Sequence, residues 1–418
     1  MGEADRVLVI GAGIVGISAA LALQARGRAV TVLDRAGVAA GASAGNAGAF
    51  AFADILPLAS PGIIARAPRW LLDPLGPLSI PPRHALAILP WLMRFWRASW
   101  RDRVEASTRA QAALMTHCAA ALDRQLADTG AGHLIRAEGQ LALYEPAARA
   151  AGEADWAMRA AHGVIAERLD GAAAIAEVQP GLAPRFTLGF FTPGWRNATD
   201  PLAFAEWLAQ VFRDRGGRIE LAEVRGLSAD ADAATAHLAD GAARRAGHLV
   251  LAAGAFSHLL AKSLGERLPL ETERGYNVTL PPGEVELRTH LTFPSHGFVM
   301  TRIGSRIRVG GAVELGGLKL PPNHARGDAM LGKARSFLPG LPGTDGARWM
   351  GFRPSLPDSL PAIGRSAASP RVVHAFGHGH LGLTQAAGTA ELVANLVCGG
   401  TPALDLAPFR PDRFARFP

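Results

Sequence analysis

Apolar and polar positions first fall into a clear rhythm at residues 6–34, "RVLVIGAGIVGISAALALQARGRAVTVLD". A β-branched run from Val7 to Ile10 meets glycines, and an Ala- and Leu-rich stretch at helical spacing closes at Gly27. A second apolar run, Ala29 to Leu33, stops on Asp34, so the segment predicts one strand–helix–strand unit. The pattern returns at "HLVLAAGAFSHLLAKSLG" and at "RVVHAFGHGHLGLTQAAGTAELVANLVCGG", each a buried strand, a glycine turn and a helix. Between these pieces the rhythm changes. Residues 101–130 predict one long amphipathic helix, and 139–144 and 189–192 predict short strands. "NATDPLAFAEWLAQVFRDRGGRIELAEVRGL" reads as turn, helix and strand. Residues 270–315 alternate as strands, "RIRVGGAVEL" most clearly, and 326–337 as a helix. Strand–helix units at the start, middle and end therefore interrupt a strand-rich part, an α/β plus α+β architecture of two interleaved domains.

Composition narrows the classes. Hydrophobic residues at 49% and charged residues at 19% are those of a globular chain, and 418 residues suffice for two domains. A net charge of +7 raises nucleic acid as a partner, but only Lys262, Lys319 and Lys333 are lysines and the arginines are scattered. The excess reads as drift toward Arg, Ala and Gly, and no nucleic-acid partner is expected. Two cysteines far apart, Cys118 and Cys398, form no metal-ligand spacing and fit a reducing, cytoplasmic compartment. No metal site is expected. The N-terminus does not read as a secretory leader, and no run of apolar residues is long enough to span a bilayer.

The first unit carries chemistry. Gly11, Gly13 and Gly16 follow a strand and open a helix, and Asp34 ends the next strand, 23 residues after Gly11. In such a Rossmann-like unit the first glycine makes the tight turn. The second admits a pyrophosphate to the helix N-terminus, here at Ile14 and Val15, and the third lets helix and strand pack. Asp34, followed by Arg35, can accept from a ribose hydroxyl, which disfavours a 2′-phosphate. A nicotinamide dehydrogenase would continue with another strand–helix repeat. This chain runs instead into "GASAGNAGAF", and its two later glycine turns suit a longer ligand, FAD.

The segments "GASAGNAG", "ATDP", "LVLAAGAFS", "ERGYNV", "GFRPSLPDSLPAIG" and "FGHGHLGLTQAAGTAELVANLV", with the N-terminal unit, resemble the D-amino-acid oxidase superfamily of flavoproteins, and within it the D-amino-acid dehydrogenase branch. They span the chain nearly end to end. The resemblance implies a Rossmann-like FAD-binding domain (residues 1–52, parts of 140–225, 246–268 and 345–418) interleaved with a strand-rich substrate domain (53–140, part of 185–195, and 269–344). It implies hydride transfer from Cα of a D-amino acid to flavin N5, giving an imine and then a 2-oxo acid. D-Proline-like secondary amines are a favoured substrate, and a sarcosine- or glycine-type oxidase using oxygen is the alternative. The electron acceptor it implies is a membrane quinone or another acceptor. Ser43, Asn46, Ala47 and Gly48 would lie beside the flavin ring. Ala253 and Gly254, with Val224, would lie toward the other end of FAD. Gly379, His380, Leu381, Gly382, Leu383 and Thr384 would lie at the pyrimidine edge. With no His or Cys in "GNAG", FAD is expected to be non-covalent.

Arg353 stands in a proline-rich segment that cannot be a helix or a central strand. It reads either as a surface charge paired with Asp358 or as the fork that grips a substrate carboxylate; the resemblance favours the fork. Tyr276 is a second carboxylate contact or a core tyrosine. Arg274, on the same strand face by period two, is a possible assistant. His378 and His380 flank Gly379 and either tune the substrate amine or hydrogen-bond a carbonyl. The stretch from Trp70 to Trp100, with Arg66, Arg69, Arg94, Arg97 and Arg101, reads as a hydrophobic lid, as a surface for the inner face of a membrane, or as helices packed over the substrate domain. An oligomer is a further expected assembly of the chain.

Overall fold

The computed structural model describes residues 5–62, 78–281, 283–343 and 346–415. Strand Arg6–Ile10, helix Ile14–Gln24 and strand Ala29–Asp34 form the N-terminal unit, with the two strands parallel. Backbone crowding explains its glycines. Gly11 sits at φ 109°, and a Cβ there would lie 2.4 Å from the Ala252 carbonyl oxygen. A Cβ on Gly16 would lie 1.9 Å from the Gly11 oxygen. Only glycine lets strand and helix approach this closely.

This unit sits in a sheet ordered Arg218–Leu221, Ala29–Asp34, Arg6–Ile10, His248–Leu251, Val372–Phe376 and Ala362–Arg365. All pairs are parallel except the last. Residues distant in sequence thus bring three strand–glycine–helix turns to one sheet edge. Helices Ile14–Gln24, Pro201–Asp214 and Gly382–Cys398 supply apolar faces to the core on this sheet, including Ile17, Phe204, Leu208 and Val393. Gly388 lets Gly382–Cys398 meet the long helix Arg101–Thr129 at Cys118, where a Cβ would lie 2.4 Å from Sγ.

A second, mostly antiparallel sheet runs Ala347–Ser355, Glu271–Leu280, Arg306–Leu315, Phe298–Ile303, His290–Phe293, Gln140–Tyr144, Leu188–Thr192 and Glu167–Asp170. Helix Ala325–Phe337 packs on it through Met330, Leu331 and Phe337. "GFRPSLP" therefore begins in an edge strand, the place in a sheet that tolerates Pro354. Two expected boundaries move. Ala347–Ser355 belongs to this sheet, so the crossing to the dinucleotide side comes after Ser355 rather than at 345. Gln140–Tyr144 also belongs here, because its fully buried run pairs with His290–Phe293 and Leu188–Thr192.

In the Trp-rich stretch, helix Ala85–Ala98 packs Ile88 and Trp91 against Leu315. Trp70, Arg66 and Arg69 lie outside the described residues.

Candidate active site

A cavity of about 880 Å³ runs between the two sheets. One end is bounded by Gly11, Gly13, Ile14, Val15, Asp34, Arg35, Val224, Ala253 and Gly254. The helix there starts at Gly13, which has no capping side chain, and although Ser43 Oγ takes Ile14 N, the following backbone N–H groups are left for a phosphate. Asp34 accepts from Ala12 N at 2.8 Å and from Ala36 and Gly37 N, so its carboxylate is fixed at the cavity wall. The Arg35 guanidinium lies 3.7 Å from the Phe256 ring centroid, and both residues line this end. An uncapped helix start, a glycine-crossed strand edge and a fixed carboxylate fit a dinucleotide.

The middle of the cavity is walled by the 41–48 loop, with Ser43, Asn46 and Ala47 lining it. Ser43 Oγ accepts from Ile14 N at 3.0 Å, and Asn46 Oδ1 accepts from Gly48 N at 2.8 Å. Gly48 therefore shapes the loop without lining the cavity. Two residues that sequence reasoning missed hold this loop to the large sheet. Asn277 donates to Gly45 O at 2.7 Å, and Arg308 donates to Asn46 O at 2.6 Å and Thr279 Oγ1 at 3.0 Å.

From the other side come Gly379, His380, Gly382 and Leu383, at the start of helix Gly382–Cys398. Leu381 instead packs with Ala51 and Met115, and Thr384 Oγ1 accepts from Ala51 N at 2.9 Å. These two fasten the turn rather than face the cavity.

The large sheet forms the remaining wall, and its alternation sorts the candidates. Glu273, Gly275 and Asn277 pair in register with Arg353, Gly351 and Trp349, and all six line the cavity. Arg353 lies flat across Gly275, where a Cβ would come within 2.4 Å of its Cζ. It donates to Ala312 O at 3.1 Å and to Gly311 O at 3.4 Å. These carbonyls stand at a break in strand register, with Ala312 in the left-handed region at φ 51°. A bulge of this kind re-aims backbone groups, here onto the arginine. Burial lowers the Arg353 pKa from its ordinary range, and Glu273 acts against that shift. The alternative pairing with Asp358 is not made: Asp358 receives Arg413, at 2.7 and 3.1 Å.

Arg274 and Tyr276 share a face, as period two requires, but their functional groups point to another environment. Arg274 is fully buried, donating to Glu314 at 3.1 Å and to the carbonyls of Gly317, Leu320 and Pro321. It does not line the cavity. The Tyr276 hydroxyl donates to Glu314 at 3.1 Å and accepts from Asn323 N at 3.0 Å, neither of which lines the cavity. Arg274 is therefore corrected to a packing role, its polar atoms already satisfied, whereas Tyr276 lines the cavity with its hydroxyl already engaged by Glu314 and Asn323. The missed signal was Gly275 between Glu273 and Asn277, a small residue marking the close face.

His378 is buried, shares a hydrogen bond of 3.0 Å with Thr389 Oγ1, and burial lowers its pKa to about 3. Burial thus favours its neutral form, which has one N–H donor and one acceptor nitrogen. His380 is exposed at the cavity mouth. Trp195 and His290, also missed, close the far wall with their rings 5.3 Å apart.

A dinucleotide fold whose three glycine turns meet a strand-rich wall across one cavity defines a flavin-type oxidoreductase. The chain belongs to the DAO family of FAD dependent oxidoreductases, whose sequence profile matches residues 6–396. A D-amino-acid oxidase of Bradyrhizobium diazoefficiens is 35% identical over 99% of this chain and all of its own. A D-amino acid dehydrogenase of Rhizobium johnstonii is 32% identical over 96% of this chain and 97% of its own. The crystal structure of a glycine oxidase from Geobacillus kaustophilus superposes with a TM-score of 0.78 over 98% of this chain and 99% of its own, at 20% identity. That last likeness speaks to the fold.

Proposed function

We propose that the protein oxidises D-amino acids, with Arg353 holding the substrate carboxylate. The observation that carries this reading is a guanidinium on the cavity wall that forms no ion pair among the described residues. Its position on two carbonyls fixes the plane and leaves the rest of the fork to form the parallel hydrogen bonds of a carboxylate. FAD held by the residues named above would accept the Cα hydrogen with its electron pair. Neither free cysteine lines the cavity, which supports non-covalent attachment. The chain's own work is then alignment: Arg353 sets the orientation of Cα, and the glycines of the sheet let it approach.

The test is anaerobic bleaching of the bound flavin by a panel of D- and L-amino acids, including D-proline, glycine and sarcosine. Bleaching by D-isomers supports the reading; bleaching by L-isomers or sarcosine alone overturns it. Comparing peroxide formation under air with reduction of a quinone then identifies the acceptor.

A membrane quinone is supported by a separate feature. Leu86, Leu89, Met93, Trp96 and Trp100 are exposed along and just beyond helix Ala85–Ala98, a row of large apolar side chains on its outer face, with Arg97 and Arg101 beside them. Such a face can lie in the interface of an anionic bilayer. None of the described helices is long and apolar enough to cross a membrane. Flotation with anionic vesicles, lost in a Trp96→Ser, Trp100→Ser variant, tests it.

A further inference from the structure

We infer that Glu273 is a substrate-contacting residue that receives the amino group of the bound amino acid and takes its proton before the Cα hydrogen leaves. The inference rests on the amino-acid reading above.

Glu273 is 4% exposed and lines the cavity, and its carboxylate accepts no hydrogen bond and makes no ion pair among the described residues. A buried carboxylate without a partner is expensive unless something else completes it. It sits opposite Arg353 in strand register on the same face, so the two side chains leave neighbouring points of the sheet. They do not pair with each other, because Arg353 is drawn across Gly275 to the bulge carbonyls. One positive and one negative group thus stand side by side without neutralising each other. An α-amino acid at neutral pH carries the complementary pair, one carbon apart. Arg353 alone would select any carboxylate; Arg353 with Glu273 selects a zwitterion.

Chemistry then requires a proton acceptor. The nitrogen lone pair must be free to form the C=N bond as the hydrogen leaves Cα. In the ammonium form that pair is occupied by a proton. The proton passes from nitrogen to a Glu273 carboxylate oxygen, giving a neutral amine and a carboxylic acid. With FAD bound, the Cα hydrogen and its electron pair would then pass to it, and the nitrogen lone pair would close the C=N bond. The product is an iminium that water hydrolyses, and Glu273 returns its proton to solvent. Arg353, His378 and His380 line the cavity with Glu273, as do Asp54, Tyr276, His290 and Arg308, while Asp34, Arg35, Glu223 and Arg225 line it as well. Arg353 remains charged. Burial keeps His378 neutral. His380 lies on the exposed turn. Among the cavity's carboxylates, Glu273 is the one in strand register with Arg353.

The experiment is stopped-flow anaerobic flavin reduction by D-alanine, D-proline, D-lysine and D-arginine, from pH 6 to pH 10, in the wild type, Glu273→Gln and Glu273→Asp. Glutamine keeps the shape and removes the base, and flavin absorbance reports that each variant holds FAD. At pH 7, Glu273→Gln should reduce about 10²-fold more slowly, the usual contribution of a positioned base. Its rate should climb about tenfold per pH unit and approach the wild type where the amine is neutral by itself. Glu273→Asp should keep part of the low-pH rate. Parallel pH profiles in wild type and Glu273→Gln would overturn the assignment, since a packing role moves all pH values together. So would a loss confined to D-lysine and D-arginine, which would mean that the carboxylate reads a cationic side chain. If no D-amino acid reduces even the wild type, the amino-acid reading itself falls, a result distinguishable from either.

Discussion

At the scale of single residues, the cavity depends on a side chain that is absent. Gly275 leaves the space in which the Arg353 guanidinium lies, 2.4 Å from where a Cβ would be. Gly275→Ala should therefore lift the fork off the Gly311 and Ala312 carbonyls, raising KM for amino acids about tenfold while FAD stays bound, a loss of about 1.4 kcal/mol, within the range for one hydrogen bond. Steady-state kinetics and flavin absorbance check this. Arg353→Lys should behave worse, because one ammonium replaces neither the bonds to the carbonyls nor the paired contacts to a carboxylate. Unchanged kinetics in the lysine variant would remove Arg353 from the site. The place of Arg353 on the cavity wall was legible from its setting among prolines and from the family resemblance. On its partner strand Tyr276 does line the cavity, but Arg274 does not. Tyrosine and arginine drew attention in "ERGYN", but a side chain's chemistry does not say which face of a strand it leaves. Glu273, Gly275 and Asn277 show that the small residue marked the cavity side.

Elements carry the next level of control. The N-terminal strand–helix–strand unit, the helix Arg101–Thr129 and the strand Arg306–Leu315 were readable, because each has a sustained period and a local stop signal. Membership of the large sheet was not readable for Gln140–Tyr144 or Ala347–Ser355, since strand pairing across more than a hundred residues leaves no local trace. The loop at 41–48 was expected beside the cofactor, but its anchors, Asn277 and Arg308, arrive from that distant sheet. Asn277→Ala should loosen the loop and weaken FAD binding about five- to tenfold, the cost of one buried hydrogen bond. Titration of apoprotein with FAD measures it. Helix Gly382–Cys398 bears on both the cavity and the core. Gly388→Val would force it away from Cys118, where even a Cβ lies 2.4 Å from Sγ. Overpacking of this kind should cost about 1–3 kcal/mol in a urea melt.

Across the whole molecule, acid should be felt through histidines that fold neutral. His290 and His378 are both buried on the cavity wall, and burial alone lowers each pKa to about 3. In the unfolded chain a histidine protonates near its ordinary value, about 6.5. The unfolded state therefore binds more protons than the native state between these values, and stability falls as pH drops through that window. The contribution is fully present above about pH 6.5 and is lost progressively toward pH 3. Each such histidine contributes a slope of up to about 1.4 kcal/mol per pH unit. Urea midpoints measured at pH 7.5, 6.5, 5.5 and 5.0 should stay level over the first step and decline over the rest. Replacing His378 by Gln, which cannot titrate, should flatten the decline by one histidine's share even if it lowers the midpoint at pH 7.5. A decline of equal steepness in that variant would mean that His378 is protonated in the native state. It would then stand as a cation beside Gly379, on the wall of the cavity that Glu273 also lines.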